Sequence, residues 1–103
     1  MSTVLVIAPL KYGAYAQAKA LVDTGPPFDP ERTPLLRHEV WLSGNEVVFV
    51  FEGGNARAAV QELIGDTTVW HAALAWRKLV AGRPRVAELA YAWRREPTLA
   101  DTA

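Results

Sequence analysis

Residues 37–52 read Arg37-His38-Glu39-Val40-Trp41-Leu42-Ser43-Gly44-Asn45-Glu46-Val47-Val48-Phe49-Val50-Phe51-Glu52, and this stretch decides the fold. Two runs rich in β-branched and aromatic residues, 37–43 and 46–52, flank Gly44-Asn45, a dipeptide suited to the positive φ angles of a two-residue hairpin turn. With those two residues as the loop, the register follows. Ser43 faces Glu46, Leu42 faces Val47, Trp41 faces Val48, Val40 faces Phe49, Glu39 faces Val50, His38 faces Phe51 and Arg37 faces Glu52. One face of the hairpin then carries His38, Val40, Leu42, Val47, Phe49 and Phe51. The other carries Trp41, Val48, Val50, Glu39 and the Arg37/Glu52 pair. Apolar side chains on both faces require a cover on both.

The flanking sequence supplies a cover for one face only. Upstream, Val4-Leu5-Val6-Ile7-Ala8 is a short apolar run ended by Pro9, the pattern of a strand covered on both sides. The spacing of Ala14, Ala18, Leu21 and Val22 predicts a helix over 13–22, stopped by Gly25 and the prolines behind it. Residues 25–36 hold four prolines and read as an ordered loop of about a dozen residues, a length often tied to function. Downstream, Asn55 caps a helix over 56–64 with the stripe Ala56, Ala59, Val60, Leu63 and Ile64. Gly65 ends it, Asp66-Thr67-Thr68 offers another cap, and a further helix is expected over 69–80. Residues 85–94 alternate as a last strand, with Ala87, Leu89, Tyr91 and Trp93 on one side. From residue 96 the chain is polar and without period, so the reading is one domain over 1–95 and a flexible tail over 96–103.

The order is β, α, β, β, α in two pieces, β: an α+β, ferredoxin-like arrangement with helices on one side of an antiparallel sheet. The bare side, with Trp41, Val48 and Val50, would be a large exposed apolar patch, and a second copy's sheet is the economical cover. A homodimer is therefore expected.

Composition narrows the function classes. The 103 residues carry eleven basic and eleven acidic side chains, giving a net charge of zero, so no electrostatic footprint for nucleic acid or an anionic membrane exists. Cysteine is absent, which excludes disulfides, thiolate metal sites and a cysteine nucleophile. Only two histidines occur, with no carboxylate cluster near them, so no metal site is expected. The N-terminus lacks a secretory pattern and no apolar run approaches ~18 residues, which leaves a cytoplasmic protein as the expectation.

Through its element order, the 39–51 hairpin and the broken second helix leading to Arg85-Val86-Ala87-Glu88-Leu89-Ala90-Tyr91, the chain resembles the dimeric α/β-barrel superfamily. Within it, the resemblance is to the small antibiotic-biosynthesis-monooxygenase-like and haem-degrading proteins. It implies a dimeric α/β barrel and a small-molecule pocket, and it leaves a cofactor-free monooxygenase, an isomerase, a haem-binding protein and a non-catalytic dimeric interaction module open. Haem-degrading members carry an Asn near the end of the first strand and a Trp and a His in the second helical region. Here Trp70, His71 and Trp76 occupy that region, but the first strand ends Ala8-Pro9-Leu10-Lys11 without an Asn.

Two residues are candidate catalytic groups. His38, beside Phe51 on the more apolar face, can act as an acid or base toward an aromatic or polyketide-like ligand, against the plainer role of a core-edge histidine bonded to backbone. Glu39, among apolar neighbours on the other face, must be protonated or paired if buried. The candidate ligand-binding set is Tyr12, Tyr15, Trp41, Phe51, Trp70, His71, Trp76 and Tyr91, with ordinary core packing as the alternative for each. Trp93 joins the same aromatic load. For the haem alternative, His71 or His38 would be the axial ligand. A helical wheel sets His71 about 140° from Trp76, taking 100° per residue, and so toward solvent. The pocket is expected between helices and sheet, with the 25–36 loop at its mouth.

Overall fold

The computed structural model describes residues 2–64 and 66–95, without the side chains of residues 64, 68, 70 and 72. Four strands, β1 (Ser2–Pro9), β2 (Leu35–Leu42), β3 (Glu46–Gly53) and β4 (Arg85–Glu88), form one antiparallel sheet in the order β2-β3-β1-β4. Helix α1 (Tyr15–Asp23) joins β1 to β2, and α2 (Ala56–Ile64) and α3 (Thr67–Arg77) join β3 to β4. This is the ferredoxin-like βαββαβ order with the second helix in two pieces. The tail expected over 96–103 lies outside the described residues.

The hairpin forms in the expected register from Arg37↔Glu52 through Leu42↔Val47. Its turn differs. Neither Gly44 nor Asn45 takes a positive φ; instead the Ser43 hydroxyl accepts from the Asn45 and Glu46 amides at 3.4 and 3.0 Å, a local substitute for a mirror-image turn. At the far end β2 slips by one residue between Leu35 and Arg37. There a side chain at Gly53 would crowd the bulge, its Cβ standing 3.0 Å from the Pro34 carbonyl oxygen.

Because directly opposed residues share a face, Val4, Val6, Ala8, His38, Val40, Leu42, Val47, Phe49 and Phe51 point toward the helices. One core cluster gathers Ala8, Leu10, Ala14, Ala18, Val47 and Leu79, with Trp76 packed against it. A second gathers Val4, Phe51, Ala56 and Val60, with Phe28 and Leu35 at its rim. Phe49 touches both. The small alanines of α1 and α2 let those helices lie close on the strands, where burial of each apolar side chain contributes about 25 cal/mol per Å². Gly25, at φ 85°, ends α1 by donating its amide to the Val22 carbonyl at 3.0 Å. Asn55 caps α2 through the Ala58 amide at 3.1 Å.

The last strand is shorter than its sequence pattern. The alternation runs to residue 94, yet pairing stops at Val4↔Glu88, with one further bond from the Leu89 amide to the Thr3 carbonyl at 3.0 Å. Beyond Leu89, residues 90–95 make no backbone hydrogen bond to a neighbouring strand among the described residues. A strand needs a partner as well as a pattern.

Candidate functional site

His38 stands on the helix-facing side of β2, near the bulge. Its imidazole lies between Phe51, stacked at 4.7 Å between ring centroids, and Phe28 of the proline-rich loop, tilted at 5.2 Å. Nδ1 is 3.0 Å from the Val50 carbonyl oxygen. A carbonyl only accepts, so Nδ1 carries the proton and Nε2 of the neutral ring is the basic nitrogen. Among the described residues nothing bonds to Nε2, and it is not among the buried unpaired atoms, so it reaches solvent. Burial of the ring pushes its pKa below the ordinary histidine value of 6.5, with the Val50 bond pulling weakly the other way. At neutral pH the ring is therefore uncharged.

Beside it lies an open depression of about 220 Å³ lined by Pro30, Glu31, Leu35, Leu36, Arg37 and His38. The loop that supplies Pro30 and Glu31 is ordered by a short 3-10 helix, Pro30–Arg32, capped by the Asp29 carboxylate accepting from the Glu31 amide at 3.0 Å. The loop thus borders the histidine. The depression sits at the outer edge of β2 rather than deep between the layers.

Glu39 is next in sequence and so points through the opposite face. Its carboxylate accepts from Arg37 Nη1 at 3.2 Å and from the Trp41 indole at 3.0 Å. Paired in this way, it is not assembled with His38 around one substrate. It belongs to a network on the open face whose centre is Glu52, a carboxylate only 7 % exposed. Glu52 accepts from the Thr3 hydroxyl at 2.8 Å, Arg37 Nη2 at 3.3 Å and Arg94 Nη2 at 3.1 Å. The Thr3 bond first, then the two guanidinium groups, hold its pKa below the usual carboxylate range. Arg37 Nε is buried without a partner among the described residues.

The eight aromatic and histidine candidates are not brought into one cavity. Phe51 and Trp76 face the core, Trp76 packing edge-on to Phe49 at 5.3 Å. Trp41 lies on the opposite side of the sheet, 63 % exposed. Tyr12 and Tyr15 are exposed around the start of α1, and Tyr91 is exposed beyond β4. The Trp70 side chain lies outside the described residues. His71 is exposed on α3 with Nδ1 3.2 Å from the Thr67 carbonyl of its own helix, and it lines neither the His38 depression nor a second one of about 350 Å³ between β1 and the start of α2. Among the described residues, His71 lines neither depression, and His38 stands between two phenylalanines with Nε2 unbonded. What sequence reasoning missed was the loop's Phe28 and the edge-strand location. A proline-rich loop preceding a histidine-bearing strand was the available signal.

Among the described residues no group of three or more His, Asp or Glu side chains could hold a metal, and no helix is long and apolar enough to cross a membrane. No family model and no curated protein matches the chain. Solved structures do. Rv0793 from Mycobacterium tuberculosis superposes with a TM-score of 0.63 at 19% identity, over 92% of this chain and 98% of that one. A crystal structure described as an antibiotic biosynthesis monooxygenase gives 0.64 at 15% identity, over 89% and 99% of the two chains. A Chloroflexus aurantiacus J-10-fl protein assigned to the same class gives 0.57 at 13%, over 93% and 98%. With its strand order, its helices on one face and these matches along nearly the whole length, the chain has the ferredoxin-like α+β fold that these solved structures share.

Proposed function

We propose that the chain is a cofactor-independent, small-molecule oxygenase whose general base is His38 Nε2. The observation that carries this reading is the Nδ1 bond to the Val50 carbonyl, which fixes the tautomer and leaves a neutral, unbonded Nε2 beside an apolar-edged depression. A flat aromatic ligand with an acidic C–H suits the site, since Leu35 and Leu36 offer it apolar surface. Nε2 takes a proton from such a ring methylene, and the resulting carbanion gives its electrons to dioxygen. One oxygen atom becomes a new ring carbonyl and the other leaves as water, so the substrate is its own reductant. The antibiotic biosynthesis monooxygenase likeness supports the reaction class.

The same reading has two copies packed sheet against sheet. The open face carries Leu5, Ile7, Val48, Trp41 and Ala87, with Val50 already buried at 6 % exposure, between charged rims, Arg37, Glu39 and Glu52 at one end and Glu46 with Arg85 at the other. Under a two-fold axis such a face is self-complementary, and a stable contact would bury roughly 1,600 Å² in total.

The test is oxygen uptake with a tricyclic anthrone as substrate. The wild-type protein should consume one dioxygen per anthrone converted, and His38→Gln, checked for folding by circular dichroism, should slow turnover by about a hundredfold or more. Equal rates in the two proteins would remove His38 from the chemistry.

A further inference from the structure

We propose that Glu52 and Arg37 are positioning residues for His38: their ion pair pins the β-bulge of β2 at Leu36, and the pinned bulge keeps the imidazole on the helix-facing side of the sheet with Nδ1 on the Val50 carbonyl. The catalytic consequence rests on His38 being the base. The positional one stands on the sheet alone.

Three consecutive rungs at this end of the sheet set out the geometry. Val4, Phe51 and His38 form one across β1, β3 and β2; Thr3, Glu52 and Arg37 form the next; Ser2, Gly53 and Leu35 form the last. Leu36 is the extra residue between the last two, and it lines the His38 depression. Beyond the bulge the chain offers only Gly53 and Gly54, which have no side chain to set a register. The rung that stops the slip from travelling along β2 is therefore Thr3, Glu52 and Arg37.

A slip carried two residues further would set Arg37 opposite Phe51 and His38 opposite Val50. Opposed residues share a face, so the imidazole would pass to the open side of the sheet, away from Phe28 and Phe51. Arg37 opposes this slip twice. Its guanidinium would leave Glu52 at 3.3 Å and Glu39 at 3.2 Å, and it would turn toward the apolar cluster of Val4, Phe51, Ala56 and Val60.

Glu52 is the anchored end of the pair. It is buried, and the Thr3 hydroxyl at 2.8 Å fixes it from β1, with Arg94 at 3.1 Å adding a contact from a mostly exposed side chain. Glu39 is held in turn by the Trp41 indole at 3.0 Å. Because the Glu52 carboxylate is desolvated, losing a partner there costs more than in the exposed Arg85–Glu46 pair at the other end of β3.

The test reads the His38 ring of the full chain by nitrogen–proton correlation at pH 7.5, with circular dichroism confirming the fold of each variant. Arg37→Leu removes the charge and makes residue 37 apolar, so it should displace the ring most, giving a second set of His38 signals without the Nδ1 proton at about a tenth or more of the intensity. Glu52→Gln should do the same to a smaller extent. Thr3→Val removes only the hydroxyl bond to Glu52, and it carries the comparison if the other two do not fold. Glu46→Gln, which breaks only the exposed pair, should leave the wild-type signals alone. In anthrone oxidation the displacing variants should lose kcat in proportion to the displaced fraction, with KM unchanged within about twofold. His38 signals identical to wild type in the folded variants overturn the positioning role whether or not anthrone is oxidised. Equal displacement by Glu46→Gln overturns it too, since any weakening of the sheet would then suffice. A displaced ring in a protein whose wild type never oxidises anthrone supports the clamp and removes the oxygenase reading instead.

Discussion

Replacing Trp76 by Ala should destabilise the fold by about 2–4 kcal/mol, while His71→Ala on the same helix should change stability by no more than about 0.5 kcal/mol. The first figure starts from the about 3–5 kcal/mol typical for removing a buried tryptophan side chain. It is reduced because Trp76 is only partly buried, and it includes roughly 0.5–1.5 kcal/mol for the edge-on pair with Phe49 at 5.3 Å. Loss of the indole also leaves a hole against the cluster of Ala8, Val47 and Leu79, which the alanines of α1 are too small to fill. His71 by contrast is exposed and bonds only to its own helix. Urea unfolding followed by fluorescence of the remaining tryptophans and by circular dichroism measures both, at matched protein concentration because any self-association adds to apparent stability. Equal losses would mean that α3 is rotated about its axis, and a larger loss for His71 would revive its role as a ligand.

Val48→Asp, which sets a carboxylate in the middle of the open sheet face beside Trp41 and Ile7, should abolish the dimer in sedimentation while the monomer keeps its secondary structure; an unchanged dimer would place the interface elsewhere. Glu52→Gln should cost stability at pH 7, and the difference from wild type should shrink in acid. The folded-state pKa lies below the ordinary value of 4.5, so the charged group's contribution is fully present above 4.5 and is lost as pH falls through the folded pKa. Urea midpoints at pH 7 and pH 3 check this, and a difference that grows toward pH 3 would contradict the ion network.

Legibility followed how local the determining physics is. The hairpin register was readable because each side chain's face is fixed by a period of two and by the position of the turn, so Arg37↔Glu52 through Leu42↔Val47 needed no tertiary information. The turn backbone was not, since Ser43 outcompeted the expected geometry with its own hydroxyl. Ala56–Ile64 was legible to the residue through Asn55 and the helical stripe. The extent of β4 was not, because residues 89–95 are as strand-like as 85–88 yet the ladder pairing ends at Glu88. For the site, His38 beside Phe51 followed from register, but Phe28 above it depended on how a proline-rich loop folds back. The aromatic set scattered because residue type says nothing about which aromatics converge: Trp41 and Phe51 were already on opposite faces of the hairpin, and Tyr12 and Tyr91 lie outside the packed layers.

The state of the His38 ring is the most direct test. A nitrogen–proton correlation spectrum of histidine-labelled protein at pH 7.5, repeated down to pH 4 and again with added anthrone, reads tautomer, pKa and ligand contact together. The expected result is a neutral ring protonated at Nδ1, titrating below 6.5 because the folded state disfavours its charge, with stability present above 6.5 and falling as the pH drops through the folded pKa. Anthrone should shift the Nε2 resonance saturably. A ring protonated at Nε2, or an Nε2 signal that anthrone leaves unmoved, would contradict the assignment of His38 as the base.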